Sequence, residues 1–201
     1  DVTIENNTFE QCYGSGAYAL RVKYDHSTYG DVENWASLVI DGNTMVNNQD
    51  GVEVYAYYSY LNPVLTNNEI SSTSAIAMHL TSAGTATFLP EVTGNKLTES
   101  TTYNLHIKPS GPIDVQYNEF TGDGSPGLVA LYNDSASDIN AENNWWGTVV
   151  ESAIAAKIYD KTDNAAKGTV DYDPWWDKYE PPAAPTLDQS DATTNSASFT
   201  L

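Results

Sequence analysis

The chain is short of several things, and each shortage excludes a class of protein. It has one cysteine, Cys12, so no intrachain disulfide exists and the fold rests on its own core. Lysine and arginine together number 8 against 27 acidic residues, a net charge of −19. Nucleic acids and anionic membrane surfaces are repelled by that balance, and a polyanionic sugar could be held only through a bridging divalent cation such as Ca2+. No run of eighteen apolar residues occurs, so no helical membrane insertion is expected in this segment. Residues 1–147 show no sustained helical period, which excludes helical solenoids and βαβ folds. With 40% hydrophobic and only 17% charged residues, the chain is nonetheless a folded domain and not an acidic tail.

What is present is a repeat. Six segments share an apolar strand, a turn ending in asparagine, one further residue and a large apolar side chain. They include Ile4-Glu5-Asn6-Asn7-Thr8-Phe9, Ile40-Asp41-Gly42-Asn43-Thr44-Met45, Leu65-Thr66-Asn67-Asn68-Glu69-Ile70 and Val92-Thr93-Gly94-Asn95-Lys96-Leu97. Val115-Gln116-Tyr117-Asn118-Glu119-Phe120 and Ala141-Glu142-Asn143-Asn144-Trp145-Trp146 complete the series. The asparagines Asn7, Asn43, Asn68, Asn95, Asn118 and Asn144 are 36, 25, 27, 23 and 26 residues apart. After each turn comes an alternating strand: Ala17 to Tyr24, Gly51 to Tyr57, Ala75 to Thr81, Asn104 to Lys108 and Gly127 to Asn133. The period is too short for a propeller blade, which takes roughly forty residues. It suits a coil of three short strands, stacked so that each strand pairs with its equivalent in the next coil. The asparagines then form a hydrogen-bonded ladder, since Asn tolerates left-handed backbone and bonds neighbouring backbone groups. About six coils at ~4.8 Å per layer give a rod of roughly 30 Å.

These residues resemble the right-handed parallel β-helix of the pectate-lyase-like superfamily, in the repeat form found in secreted and surface proteins. The Asn143-Asn144-Trp145-Trp146-Gly147 segment is similar to the closing NNWWG of many bacterial and archaeal surface domains. There a short helix and a VDYxPW stretch follow, matched here by Val170-Asp171-Tyr172-Asp173-Pro174-Trp175. The resemblance spans residues 1 to about 179 and implies an all-β rod with a C-terminal cap.

The expected organisation is coils over 1–147 and a cap over 148–179. A proline-rich linker and the first strand of a truncated fibronectin-III or Ig-like domain then occupy 180–201. Both chain ends fall inside strand-like patterns, so the sequence is expected to be part of a longer protein. Val150, Ile154 and Ile158 recur at helical spacing, predicting a capping helix over 150–160. Trp145, Trp146, Trp175 and Trp176 complete the plug, a better use of these rings here than sugar stacking.

Chemistry on such a rod falls to outward side chains. With Leu20, Val22, Val54, Met78, Leu80, Leu105 and Ile107 inward, the outward neighbours are Arg21, Lys23, Glu53, Tyr55, His79, His106 and Lys108. Arg21, His79, His106 and Lys108 could serve a lyase as base and carboxylate-neutralising cations, with Tyr55 donating a proton. The competing reading is a mixed sheet face without reaction. Family signatures lower the enzyme's standing: neither an Asp-Asp with Gly-His-Gly pattern nor an Asp-Pro-His motif occurs, and no calcium-binding aspartate cluster can be aligned. Asp171 and Asp173 are weak Ca2+ ligands at best. Of the sequons at Asn6 and Asn133, Asn133 is the expected glycosylation acceptor because Asn6 sits in the ladder turn. The favoured expectation is a non-catalytic extracellular or cell-surface module, structural or adhesive, such as a filament or surface-layer subunit. Its partners would be glycans, other surface proteins or itself, with Tyr55, Tyr57, His79 and His106 as binding residues. The alternative is a polysaccharide lyase or hydrolase acting on acidic glycans. Of the acidic residues, 18 precede Gly147 and are spread along the coils, so the charge marks no single site.

Overall fold

The computed structural model describes residues 2–25, 35–71, 73–122 and 128–178. The linker and strand expected over 180–201 lie outside the described residues. Three strands make each turn of the chain. The first coil is Val2–Glu5, Thr8–Glu10 and Tyr18–Asp25, and the second is Trp35–Asp41, Thr44–Val46 and Asp50–Tyr57. Tyr60–Thr66, Glu69–Ser71 and Ile76–Ala83 form the third. The fourth is Glu91–Thr93, Lys96–Thr98 and Tyr103–Ile107, and the fifth is Ile113–Gln116, Glu119–Thr121 and Val129–Asn133. A sixth turn starts at Ile139–Asn140, bridges Glu119 through Trp145 and ends on Ile158–Tyr159. Equivalent strands pair in parallel and in register, giving three sheets and five complete coils before the sixth merges into the cap.

The inward rows explain why these short strands hold. Ile40, Leu65, Val92 and Val115 stack in the first sheet, and Met45, Ile70, Leu97 and Phe120 in the second, all fully buried. Each contributes about 1.5–3 kcal/mol of burial, and the next coil supplies its neighbours. At the corner between these sheets the chain turns through left-handed backbone at Asn6, Gly42, Asn67, Gly94, Tyr117 and Asn143, with φ between 54° and 69°. The following asparagine points inward. The Oδ1 of Asn68, for example, accepts from the backbone N and the Nδ2 of Asn43, at 3.0 and 3.1 Å. Its own Nδ2 donates to Ile40 O at 2.8 Å and to Asn95 Oδ1 at 2.9 Å. The same pattern runs from Asn7 to Asn144. Buried amide groups that would otherwise be costly are thereby satisfied.

The cap differs from its sequence expectation in one respect. The helix is only Glu151–Ala155; Val150 precedes it, 55% exposed, and Ile158 belongs to a strand paired with Leu131. Strand pairing with the fifth coil satisfies the backbone there, which a longer helix would leave unpaired. Ile154 and Trp146 are fully buried, and Trp146 stacks on Phe120 at 4.9 Å. Lys157 Nζ donates to Trp146 O at 2.8 Å. Trp145, Trp175 and Trp176 are half-buried around this plug, with Trp176 N donating to Asn144 O.

Candidate functional site

Register places one outward side chain per coil in a row along the third sheet: Arg21, Glu53, His79, His106, Tyr132 and Tyr159. Arg21, His79 and His106, separated by up to 85 positions in the chain, thus become axial neighbours. Lys108 and Tyr55 do not join them. They lie one row over, with Lys23, Thr81 and Asp134, because outward positions on a strand recur every second residue.

The row is matched by ion pairs and ring contacts, although Glu53 Oε2, His79 Nδ1 and His106 Nε2 are buried without a hydrogen-bond partner. Glu53, nearly buried, contacts Arg21 Nε, and its other oxygen lies 3.6 Å from His79 Nδ1. His79 and His106 stack with ring centroids 4.6 Å apart. His106 Nε2 lies 3.4 Å from Asp134 Oδ2, and Asp134 also accepts from Lys167, which reaches over from the cap. Tyr132 meets His106 edge-on at 4.8 Å and stacks on Tyr159 at 4.5 Å. Tyr103 closes the cluster, 5.3 Å from His106 and 5.1 Å from Tyr132.

Electrostatics follow from this packing. Burial lowers both histidines below their ordinary value, outweighing the nearby carboxylates; the neighbouring His79 lowers His106 further. Burial and the Glu53 carboxylate push Tyr18 up to about 12. Burial also raises Tyr132, with Asp134 adding to it. For Asp134 burial acts upward, but the bond from Lys167 and its charge prevail and hold the carboxyl low. The result at neutral pH is two neutral imidazoles lying between Glu53 and Asp134, each of which already contacts a basic side chain.

Glu53, Asp134, Lys167, Tyr103, Tyr132 and Tyr159 were not among the candidates from sequence. Parity alone flagged Glu53 as outward; the others needed the register across coils of unequal length. Asn133 requires a correction. It lies in register with inward Ile107, is fully buried, and donates to Ser137 O and Gly168 O while accepting from Ser135. It braces an internal corner, out of reach of a glycosylating enzyme. Asp171 and Asp173 are exposed and joined only by a 3.4 Å hydrogen bond that Asp173 N donates to Asp171 Oδ1. Among the described residues no group of three His, Cys, Asp or Glu side chains converges on a metal position. Among the described residues no helix is long and apolar enough to cross a membrane. Two adjoining shallow grooves, of about 430 and 450 Å³, lie on the first sheet between Leu89 and Asp171 and include neither histidine.

The chain matches the family of the right-handed β-helix region over residues 1–159. It belongs to that family. The parallel coils described above are therefore those of a right-handed β-helix, a pectate-lyase-like fold. No curated protein and no solved structure gives a significant match.

Proposed function

We propose that this β-helix is a non-catalytic module of a larger extracellular or cell-surface protein, a stiff rod that spaces its neighbours and presents a binding face. One observation carries the reading: on the outward row, where titratable groups gather across several coils, every cation is matched by a carboxylate. Arg21 is taken by Glu53, Lys167 by Asp134, and the histidines are neutral and stacked on each other. A uronate lyase needs a free cation to neutralise the substrate carboxylate and a base open to the adjacent proton. Here the ring faces are covered and the surface is a flat sheet. Self-association or binding of other surface proteins fits the same rod.

A second reading keeps a polysaccharide lyase or hydrolase. His106 beside Tyr132, with Asp134 and Lys167 behind them, is an acid–base pair in composition. The two readings part in a turnover assay of the purified chain on pectate, alginate and neutral polysaccharides, scoring unsaturated ends and new reducing ends. A non-catalytic module yields no product. Product formation that disappears in His106→Gln would establish the enzyme.

A further inference from the structure

Beside the self-matched row lies a part of the same sheet that is not self-matched. In the second coil Tyr55 and Tyr57 point outward, their rings stacked at 6.2 Å, and Tyr58 meets Tyr57 edge-on at 4.3 Å. On the side of the first coil, Lys23 Nζ sits 5.6 Å over the Tyr55 ring and pairs with Asp25 at 3.6 Å. On the side of the third coil, the registered neighbours are only Thr81 and Ala83. The tall rings therefore stand beside a low floor. Lys108, exposed and in no ion pair among the described residues, rises on its far side one coil further on. From wall to wall the step spans two strand spacings, about 10 Å.

Tyr58 gives this step its second peculiarity. Eight non-glycine residues have positive φ among the described residues. Seven of them sit at two corners that recur from coil to coil: Asn6, Asn67, Tyr117 and Asn143 at one, Gln11, Asn47 and Glu99 at the other. Tyr58, at φ 47°, belongs to neither. A bulky aromatic there is strained, and strain of this kind gathers at functional positions. The aligned residue of the third coil is Gly84, itself left-handed at φ 69°, so the turn accepts a glycine and the second coil carries a tyrosine instead. The Tyr58 ring lies directly on Gly84, where an added Cβ would come within 3.0–3.1 Å of three ring atoms.

We propose that this step is a binding site for an uncharged pyranose of a glycan chain, seated against Tyr55 and Tyr57 over Thr81 and Ala83, with Tyr58 closing one end. The inference rests on the reading of the chain as a binding module and names its ligand class. An aromatic wall with a few polar groups at its edge suits a ligand with an apolar ring face and a rim of hydroxyls. The Thr81 hydroxyl, the Tyr58 phenol and the Lys108 ammonium supply that polar edge. The net charge of −19 over the whole chain disfavours an acidic sugar. Among the described residues the strongly exposed apolar side chains, Val2, Tyr13, Tyr117, Val149 and Val150, all lie elsewhere, so the described surround of the step is not the broad apolar surface of a protein interface.

The test is a glycan array carrying gluco-, manno-, galacto- and N-acetylglucosamine oligosaccharides beside oligouronates. Calorimetric titration of the best neutral oligosaccharide against the full chain follows, with Tyr57→Ala, Tyr58→Asn and, as a distant exposed control, Tyr117→Ala. Neutral oligosaccharides bind, Tyr57→Ala and Tyr58→Asn weaken binding by about tenfold or more, and Tyr117→Ala changes nothing. Asparagine suits left-handed backbone, so Tyr58→Asn keeps Tm within about 3 °C of the parent and the loss cannot be ascribed to unfolding. The proposal is overturned by full binding in both step variants, by preference for oligouronates, or by an array without neutral binders. A parent dimer that Tyr57→Ala dissociates would overturn it too. None of these results bears on the non-catalytic reading, which the turnover assay decides.

Discussion

Each coil presents one asparagine to the corner between the first two sheets and one side chain to the outward row of the third, and the two series meet their neighbours in different ways. The corner repeats a single residue whose amide is both donor and acceptor, so each copy bonds the next by the same geometry. The outward row has no single residue repeated from coil to coil. It runs Arg, Glu, His, His, Tyr, Tyr, and each member is complementary to the next by charge or ring contact. Stacking at about 4.8 Å brings like beside like in any β-helix, and like charges so close would repel. An amide escapes that problem by being self-complementary; a charged row escapes it only by alternating.

Substitutions graded along this comparison should give graded effects. The largest belongs to the corner. Asn68→Ala removes one side chain and takes the acceptor from Asn43 N in a dry interior, while Asn43 Nδ2, Ile40 O and Asn95 Oδ1 each lose one bond. A loss of about 3–5 kcal/mol is expected by urea unfolding, with Tm lower by about 10 °C. A loss under ~1 kcal/mol would mean that the ladder contributes little. Next is the outward row. Glu53→Gln leaves Arg21 without its charge partner, but Arg21 is 57% exposed and water replaces much of the contact. About 1–2 kcal/mol is expected in the same assay.

The histidines make the row pH-sensitive. Because burial depresses their folded-state values, the unfolded chain binds more protons as pH falls below about 6.5, and stability rises with pH across that window. Urea midpoints should therefore drop between about pH 7 and pH 5, and the doubly substituted His79→Gln/His106→Gln chain should show a flatter profile. At the small end is Lys96→Ala. Its bond to Glu69 is 2.6 Å, yet both side chains are half exposed, and a change of only a few tenths of a kcal/mol is expected.

The same contrast explains what the sequence made legible. A ladder of identical residues announces itself in one dimension, so the asparagine corner and the inward apolar rows could be read from Asn7 to Asn144 without coordinates. A ladder of complementary residues does not. Glu53 becomes the partner of Arg21, and Asp134 that of His106 and Lys167, only when coils with repeat steps of 23 to 36 residues are laid in register. Asn133 shows the opposite failure. Its tripeptide reads as a glycosylation sequon, whereas its parity with Ile107 places it in the interior. The capping segment reads as one helix because Ile154 and Ile158 are four apart, a spacing that a short helix followed by a strand also produces.

The central claim is that the outward row is matched within itself and leaves none of its own cationic side chains free for a substrate. Proton NMR titration of His79 and His106 in the intact chain, assigned through His79→Gln and His106→Gln, tests this most directly. Both midpoints should fall below 6.5, and His79→Gln should raise that of His106, because His79 is one of the groups holding it down. A histidine with a midpoint above 7, cationic at neutral pH, would contradict the account and return the row to the list of acid–base sites.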